Sequence, residues 1–444
     1  MMLAEKLDKP VAIYPLVTFR ILFGFVMLLG TIRFMALGWI DDHYLQPLLH
    51  FNYYGFSWIK VGPAWFMYAI HALMVIAAAG IMLGAWYRVS TVVFFITFTY
   101  TELIDITYYL NHYYFVSWVA FILIFLPANQ YFSVDVWRKP DLHQNTAPWW
   151  TIAILQFMVA LVYLFAGIAK INYDWLIEAM PLRIWLPAHH HLPIVGELVS
   201  QPWVAYVFSW VGMVFDCTVF FFLIYKPTRL IAWLVLVTFH LLTGFLFQIG
   251  VFPVVMIGAS LIFFSSQWHQ QILERVQALL KFKSFPKTEK SKYQTPLLLR
   301  YGLYVVIIFH LLFPFRYLLY PGNIFWTEEG YRFSWRVMLM EKAGTATFYV
   351  KDQLTNKEGV VDNAEFLNSH QEKQMAMQPD LILQYAHFLK NEFSKRGLTN
   401  PSVRAEVYVT LNGGPSRLLI DPTINLASLQ DSWTTKQWIL PFNH

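Results

Sequence analysis

The chain has 444 residues, 57% of them hydrophobic and only 13% charged, with a formal net charge of +5. Soluble domains are about a quarter charged, so these proportions exclude a single soluble globular protein and point to a membrane. The positive charge does not argue for nucleic acid, because the basic residues stand largely in loops beside apolar runs, and the single cysteine, Cys217, excludes an intrachain disulfide or a thiolate metal cluster.

Nine apolar segments read as spans, at about 14–37, 65–86, 89–107, 113–127, 151–170, 203–225, 230–248, 251–265 and 297–318. The first is too long for a signal-peptide core and lacks a small-residue cleavage site, so it is read as retained. The fourth and eighth fall short of the roughly 20 residues that a perpendicular helix needs. Between the fifth and sixth, residues 171–202 are amphipathic and rich in Trp, Pro and His, as expected of a re-entrant or interfacial segment. Placing the N-terminus in the cytoplasm puts Lys6, Lys9, Arg88, Arg138, Lys139, Lys226, Arg229 and the basic loop from Arg275 to Arg300 inside. The outer loops before residue 320 then keep only Lys60, Lys170 and Arg183, the asymmetry that membrane insertion favours. Nine spans put the C-terminus outside.

From Trp326 the character changes. MLMEKAGTATFYVKD reads as β with turn residues in its middle, PDLILQYAHFLKNEF (379–393) has helical spacing, and the stretch around Asn412-Gly413-Gly414 reads as a hairpin. The predicted fold is a polytopic α-helical membrane protein of about nine spans, with a small C-terminal α+β domain on the outer side. Its domains are a transmembrane part, 1–320, and an extracytoplasmic part, 321–444.

Ionisable groups inside spans are costly and usually have a task. His71, Glu102, Asp105, His112, Lys170, His240, His310 and Arg316 all fall toward the outer half, with Arg20 the main exception. One shared side predicts one shared cavity opening to the outer face. Each residue also has a plainer explanation. Lys170, closing the apolar run FAGIAK, either snorkels to the interface or is held neutral by desolvation and serves as a base. Glu102 and Asp105, three apart, share a helix face and could pair with a neighbouring cation. Lone histidines such as His71 and His310 commonly bond helix to helix. His189, His190 and His191 are consecutive and converge poorly on one metal, and no HExxH, CxxC or phosphate-binding glycine loop is present.

FAGIAKINYDWL (165–176) resembles the lysine-bearing segment of the vitamin K-dependent γ-glutamyl carboxylases and their bacterial relatives, the HTTM family. Further segments resemble the family in the same order: YTELIDITYYLNHYYFVSWVAFILIFLPANQYFSVD (100–135), TFHLLTGFLFQIGVFP (238–253), LLYPGNIFWTEEGYRFSWRVML (318–339) and KQMAMQPDLILQYAHFL (373–389). The resemblance covers most of the chain and implies a reaction. A lysine deprotonates reduced vitamin K, the anion reacts with O2 to give a strong alkoxide base, and that base takes a γ-proton from a peptide glutamate. The carbanion adds CO2, and vitamin K leaves as its 2,3-epoxide. It implies a quinol of menaquinol or phylloquinol type drawn from the lipid phase, a Glu-containing peptide or protein as partner, and no metal. By the resemblance Lys170 stands at the base lysine, and His112 and His240 at histidines of the catalytic region. Asn111, Arg316, Tyr331 and Trp335 stand at substrate-handling positions. The physics agrees: a phenol-like hydroxyl near pKa 10 needs a desolvated lysine, whose ordinary value is about 10.4.

The chain departs from the family pattern in places. Ile106 stands where a lysine precedes the Asn-His pair, Tyr317 follows Arg316 where relatives carry histidine, and Tyr331 replaces a histidine before Arg332. Animal enzymes have a considerably longer C-terminal region. These departures keep two alternatives open: a quinol epoxidase or oxidoreductase without peptide carboxylation, and a non-catalytic membrane protein that binds a lipid or partner.

Overall fold

The computed structural model describes residues 6–247, 249–281 and 293–442. The basic run 281–294, read above as a cytoplasmic loop, lies almost wholly outside them. The helical part comprises α1 (Tyr14–Ala36), α2 (Ala64–Leu83), α3 (Tyr87–Ile104), α4 (Asn111–Leu123), α5 (Trp149–Ala169), α6 (Pro202–Ile224), α7 (Arg229–Leu246), α8 (Phe252–Ser260), α9 (Ser266–Leu279) and α10 (Leu297–Leu312). Six of these are long and apolar enough to cross a membrane: α1, α2, α5, α6, α7 and α10 with its 3-10 continuation to Leu319. The other three expected spans fall on α3, α4 and α8, of 18, 13 and 9 residues. At about 1.5 Å per residue, the last two cannot cross a hydrocarbon layer of about 30 Å alone.

Sequence explains the breaks. α3 stops because Asp105 leaves helical geometry (φ −139°, ψ 114°) and its carboxylate accepts from the Thr107 amide at 2.9 Å. Asp105 therefore does not share a helix face with Glu102, contrary to the spacing argument. Segment 171–202 contains only short helical turns, 173–176, 182–185, 187–189 and 196–199. Glycine sets two close approaches. A Cβ on Gly24 of α1 would collide with the α2 backbone at Met82, and one on Gly167 of α5 would collide with α6 at Cys217. Ahead of α1, β1 (Pro10–Ala12) pairs antiparallel with β2 (Thr146–Pro148) and ties the N-terminal segment to the start of α5.

The C-terminal part is α+β. Strands β3 (Lys342–Lys351), β4 (Glu358–Val360), β5 (Ser402–Leu411) and β6 (Arg417–Leu418) form an antiparallel sheet in the order β4-β3-β5-β6. β3 pairs with β5 along its whole length, Lys342 opposite Leu411 to Lys351 opposite Ser402. The turn expected within the β3 segment is absent, because Gly344 continues the strand and packs against the Ala376 carbonyl. Alternate β5 residues Val403, Ala405, Val407, Val409 and Leu411 are buried in one core with Leu381, Ile382, Tyr385 and Leu389 of α12 (Pro379–Lys395), which follows α11 (Ser369–Met375). The same core includes Phe51, Trp175, Leu182, Leu186 and Val204, so loops of the helical part and the start of α6 form the seat of the sheet domain. Polar clasps fasten it. Gln384 exchanges two hydrogen bonds with the Asn52 backbone (2.9 and 3.0 Å), Gln371 donates to Asp105 (3.0 Å), and Asn412 donates to Asp174 (2.7 Å).

Candidate functional site

α5 ends on Lys170, whose amide bonds back to Gly167. Its side chain does not snorkel. Nζ lies 2.7 Å from Asp216 Oδ2 of α6, with the two side chains 8% and 6% exposed. It also donates to the Ala166 carbonyl at 3.4 Å and sits 5.2 Å from the Trp175 ring centre. The close approach at Gly167 brings α6 near enough for this pair. Either charge alone would be costly to bury. As an ion pair at 2.7 Å each compensates the other's burial. Asp216 was missed in the sequence, although it is the only acidic residue in the apolar run of α6, and that isolation was the available signal.

Two turns before Lys170 on the same helix face, Tyr163 Oη lies 2.7 Å from His240 Nε2 of α7. His240 is buried, and its Nδ1 has no hydrogen-bond partner among the described residues. The Phe252 ring at the start of α8 contacts both His240 (5.6 Å between centres) and His112 (5.9 Å). Tyr163, His240, Phe252 and His112 thus form one chain of contacts, and the Lys170–Asp216 pair stands two turns along α5 from Tyr163. Among the described residues no hydrogen bond joins Lys170, His240 and His112 directly.

Some of the groups predicted to share one cavity line two separate spaces among the described residues. The larger, about 580 Å³, lies between the helical part and the sheet domain. Its apolar wall is aromatic: Phe95, Trp118, Phe121, Phe309 and Phe313 from α3, α4 and the α10 region. Its polar end carries Arg316, Tyr331, Arg332, Asp380 and Lys436. Arg332 and Asp380 pair at 2.6 Å. Burial pushes Asp380 up, but the adjacent guanidinium outweighs it and holds the carboxyl below its usual range. Arg316 donates to the carbonyls of Phe313 and Arg332 and has no carboxylate partner among the described residues. The smaller chamber, about 70 Å³, lies among α1 to α4 and is lined by His71 and His112. Glu102 borders both. Lys170 and His240 line neither.

Of the remaining sequence candidates, Tyr331 and Arg316 face the large cavity. Trp335 does not. It is 1% exposed, packed against Tyr114 at 5.1 Å, and supports the wall from behind. Asn111 is also a tether. It accepts from Tyr109 Oη (2.9 Å), which accepts from the Phe333 amide (2.8 Å), and it donates to the Arg336 carbonyl (3.0 Å). These bonds hold the loop 328–338, in which Glu328, Phe333, Trp335 and Met338 all have positive φ. Such conformations are costly for side-chain-bearing residues and recur at functional sites. His71 and His310 bond carbonyls four residues back in their own helices, at 2.7 and 2.8 Å, and not a neighbouring helix as expected. The rings of His189 and His191 stand 6.1 Å apart, and no group of metal-ligating side chains occurs among the described residues.

No solved structure matches the chain. The family model for the HTTM domain matches residues 8–268, more than half of the chain. The model for the vitamin K-dependent gamma-carboxylase lumenal domain matches residues 294–444. Two such models in succession, one for the helical part and one for the part that closes the large cavity, identify the chain as a member of the vitamin K-dependent gamma-carboxylase family.

Proposed function

We propose that the protein is a vitamin K-dependent γ-glutamyl carboxylase-like membrane enzyme, coupling conversion of reduced vitamin K to its 2,3-epoxide with addition of CO2 to a peptide glutamate. The observation that carries this reading is the buried Lys170–Asp216 pair at 2.7 Å, a proton-accepting unit at the family's lysine position. The residues fit a prenylated quinol. A cavity of about 580 Å³ falls within the roughly 300–1,000 Å³ of small-molecule sites, and its aromatic wall suits a fused ring and tail, with the Lys170–Asp216 pair lying outside that lining.

Reduced vitamin K, when bound, supplies the electrons that activate O2. The chain does the rest by position and charge. Lys170 passes its own proton to Asp216 Oδ2 and then accepts one at the freed Nζ, so that the pair ends with both protons. Tyr163 fixes the His240 ring at 2.7 Å, leaving Nδ1 available. Arg316, without a carboxylate of its own, receives a glutamate carboxylate, and Tyr331 beside it shapes that end. The aromatic wall excludes water from strongly basic species. In this reading the N-terminus is cytoplasmic, and the domain from residue 321 is extracytoplasmic, where exported peptides reach it.

A second reading, quinol epoxidation without peptide carboxylation, is favoured by Ile106, which presents an apolar side chain to the cavity where the family carries lysine. Purified protein in lipid nanodiscs, given reduced vitamin K, O2, labelled CO2 and Glu-containing peptides, separates the two. Epoxide with labelled peptide supports carboxylation. Epoxide without label across a broad peptide set supports the second reading, and neither product sinks both.

A further inference from the structure

Glu102 stands on the last turn of α3 and is the one described residue that lines both the large cavity and the small chamber. Among the described residues no hydrogen bond or ion pair reaches its carboxyl. An ionisable group in an apolar helix that pairs with nothing needs a reason to be there. On the chamber side it meets His112, His71, Tyr44, Tyr113 and Arg33. His71 donates its Nδ1–H to the Met67 carbonyl, which leaves Nε2 able to accept a proton. Among the described residues His112 has ring contacts to Tyr113 and Phe252 and no hydrogen bond. Arg33 is exposed and lies over the Trp39 ring at 4.8 Å, so the chamber runs from Glu102 to the molecular surface. Its volume of about 70 Å³ admits several water molecules, and Glu102, His71, His112, Tyr44, Thr31 and Thr101 offer them polar partners in an otherwise mostly apolar lining. On the cavity side Glu102 shares the space with the charged groups Arg316, Glu328, Glu329, Arg332, Asp380, Asp431 and Lys436 and with Tyr53, Tyr54, Tyr109, Tyr114, Tyr320 and Tyr331.

We propose that Glu102 passes protons between the large cavity and the surface by way of the His112 chamber. The inference rests on the quinol reading above, because a water-excluding cavity that takes protons from a hydroxyl-bearing ligand must return them to solvent. One proton from a cavity hydroxyl bonds to a Glu102 oxygen. The other carboxyl oxygen gives up the proton it already carries, through chamber water, to a ring nitrogen of His112 or His71, from which a proton leaves at the surface beside Arg33. Glu102 is unchanged at the end, and nothing is oxidised or reduced.

The test uses full-length protein in nanodiscs. Glu102→Gln keeps shape and hydrogen bonding but cannot carry a proton. It is expected to slow single-turnover epoxide formation by about 10²-fold, the scale of a lost proton-transfer group. It should also flatten the pH profile and leave anaerobic binding of a naphthohydroquinone within about threefold, while Glu102→Asp restores part of the rate. A wild-type rate and pH profile in Glu102→Gln overturns the proposal, and so does loss of hydroquinone binding, which would make Glu102 a ligand contact. Gly30→Leu is an independent variant: a Cβ there meets nothing within 4 Å, and the residue lines the chamber, so leucine plugs it without touching Glu102. Infrared difference spectra with 13C-glutamate read the carboxyl without turnover. Its band should shift on mixing into D2O in the wild type and at least about tenfold more slowly in Gly30→Leu. Equal exchange in both overturns the relay even if epoxide is made. Chamber-dependent exchange with no epoxide supports the relay and sinks the enzyme reading alone.

Discussion

At the scale of single residues, the decisive contact is between Lys170 and Asp216, 46 positions apart. Asp216→Asn leaves a buried amine without its counter-charge. It is expected to cost about 3 kcal/mol or more of stability and to abolish epoxide formation. Replacing both partners with apolar residues, Lys170→Met with Asp216→Leu, should recover most of the stability and none of the activity. Chemical denaturation in detergent, read as a double-mutant cycle, checks this, and a double variant no more stable than Asp216→Asn would refute it. Lys170→Ala should likewise stop epoxide formation in a folded protein, and a small exogenous amine should restore some of it. An unaltered rate would remove Lys170 as the base. Tyr163→Phe leaves His240 with neither nitrogen bonded and is expected to cost about 1–3 kcal/mol, visible as a lowered melting temperature.

At the scale of elements, the sheet domain is held by a stacked clasp. Tyr108 lies between His43, 3.9 Å away, and His370 of α11, 4.6 Å away, and His370 bonds the Thr107 carbonyl at 3.1 Å. Burial first, and the nearby His370 second, push His43 down to about 4. Burial likewise lowers His370. Once the clasp opens, both rings return toward the ordinary value of about 6.5. The open state then binds more protons, so docking is fully favoured above about pH 6.5 and weakens as pH falls toward 4. Amide hydrogen exchange in α11 should therefore quicken between pH 6.5 and 4.5, beyond its intrinsic pH dependence. His43→Phe should blunt that change, and an equal acceleration in the variant would refute the clasp. Local sequence announced the elements themselves: the apolar lengths of α1, α5 and α6, the spacing of α12 and the hairpin between β5 and β6. It misjudged the β3 segment because Gly344 resembles a turn residue, whereas in the fold it is glycine because the Ala376 carbonyl leaves no room for a side chain.

At the scale of the whole molecule, the large cavity exists only because the sheet domain covers the ends of α3, α4 and α10. Orientation in the membrane is tested with a Cys217→Ser background carrying one new cysteine, Ser428→Cys in the sheet domain or Ala278→Cys at the end of α9. Both positions are exposed. An impermeant maleimide should label position 428 in right-side-out vesicles and position 278 only in inverted ones. The reverse pattern would overturn the assigned topology.

Sequence by itself determined the membrane class, most of the spans, the α+β character of the C-terminal part and the family resemblance. Hydrocarbon acts on a segment residue by residue, and strand or helix periodicity is written in neighbours. Only the tertiary structure decided which polar groups meet. Lys170 faces Asp216 because Gly167 lets α5 and α6 close together. Asn111 and Trp335 became supports of the 328–338 loop, and Glu102 came to border two spaces. Those outcomes depend on helix rotation and crossing distance, which follow from packing among distant side chains and leave no local trace in the chain.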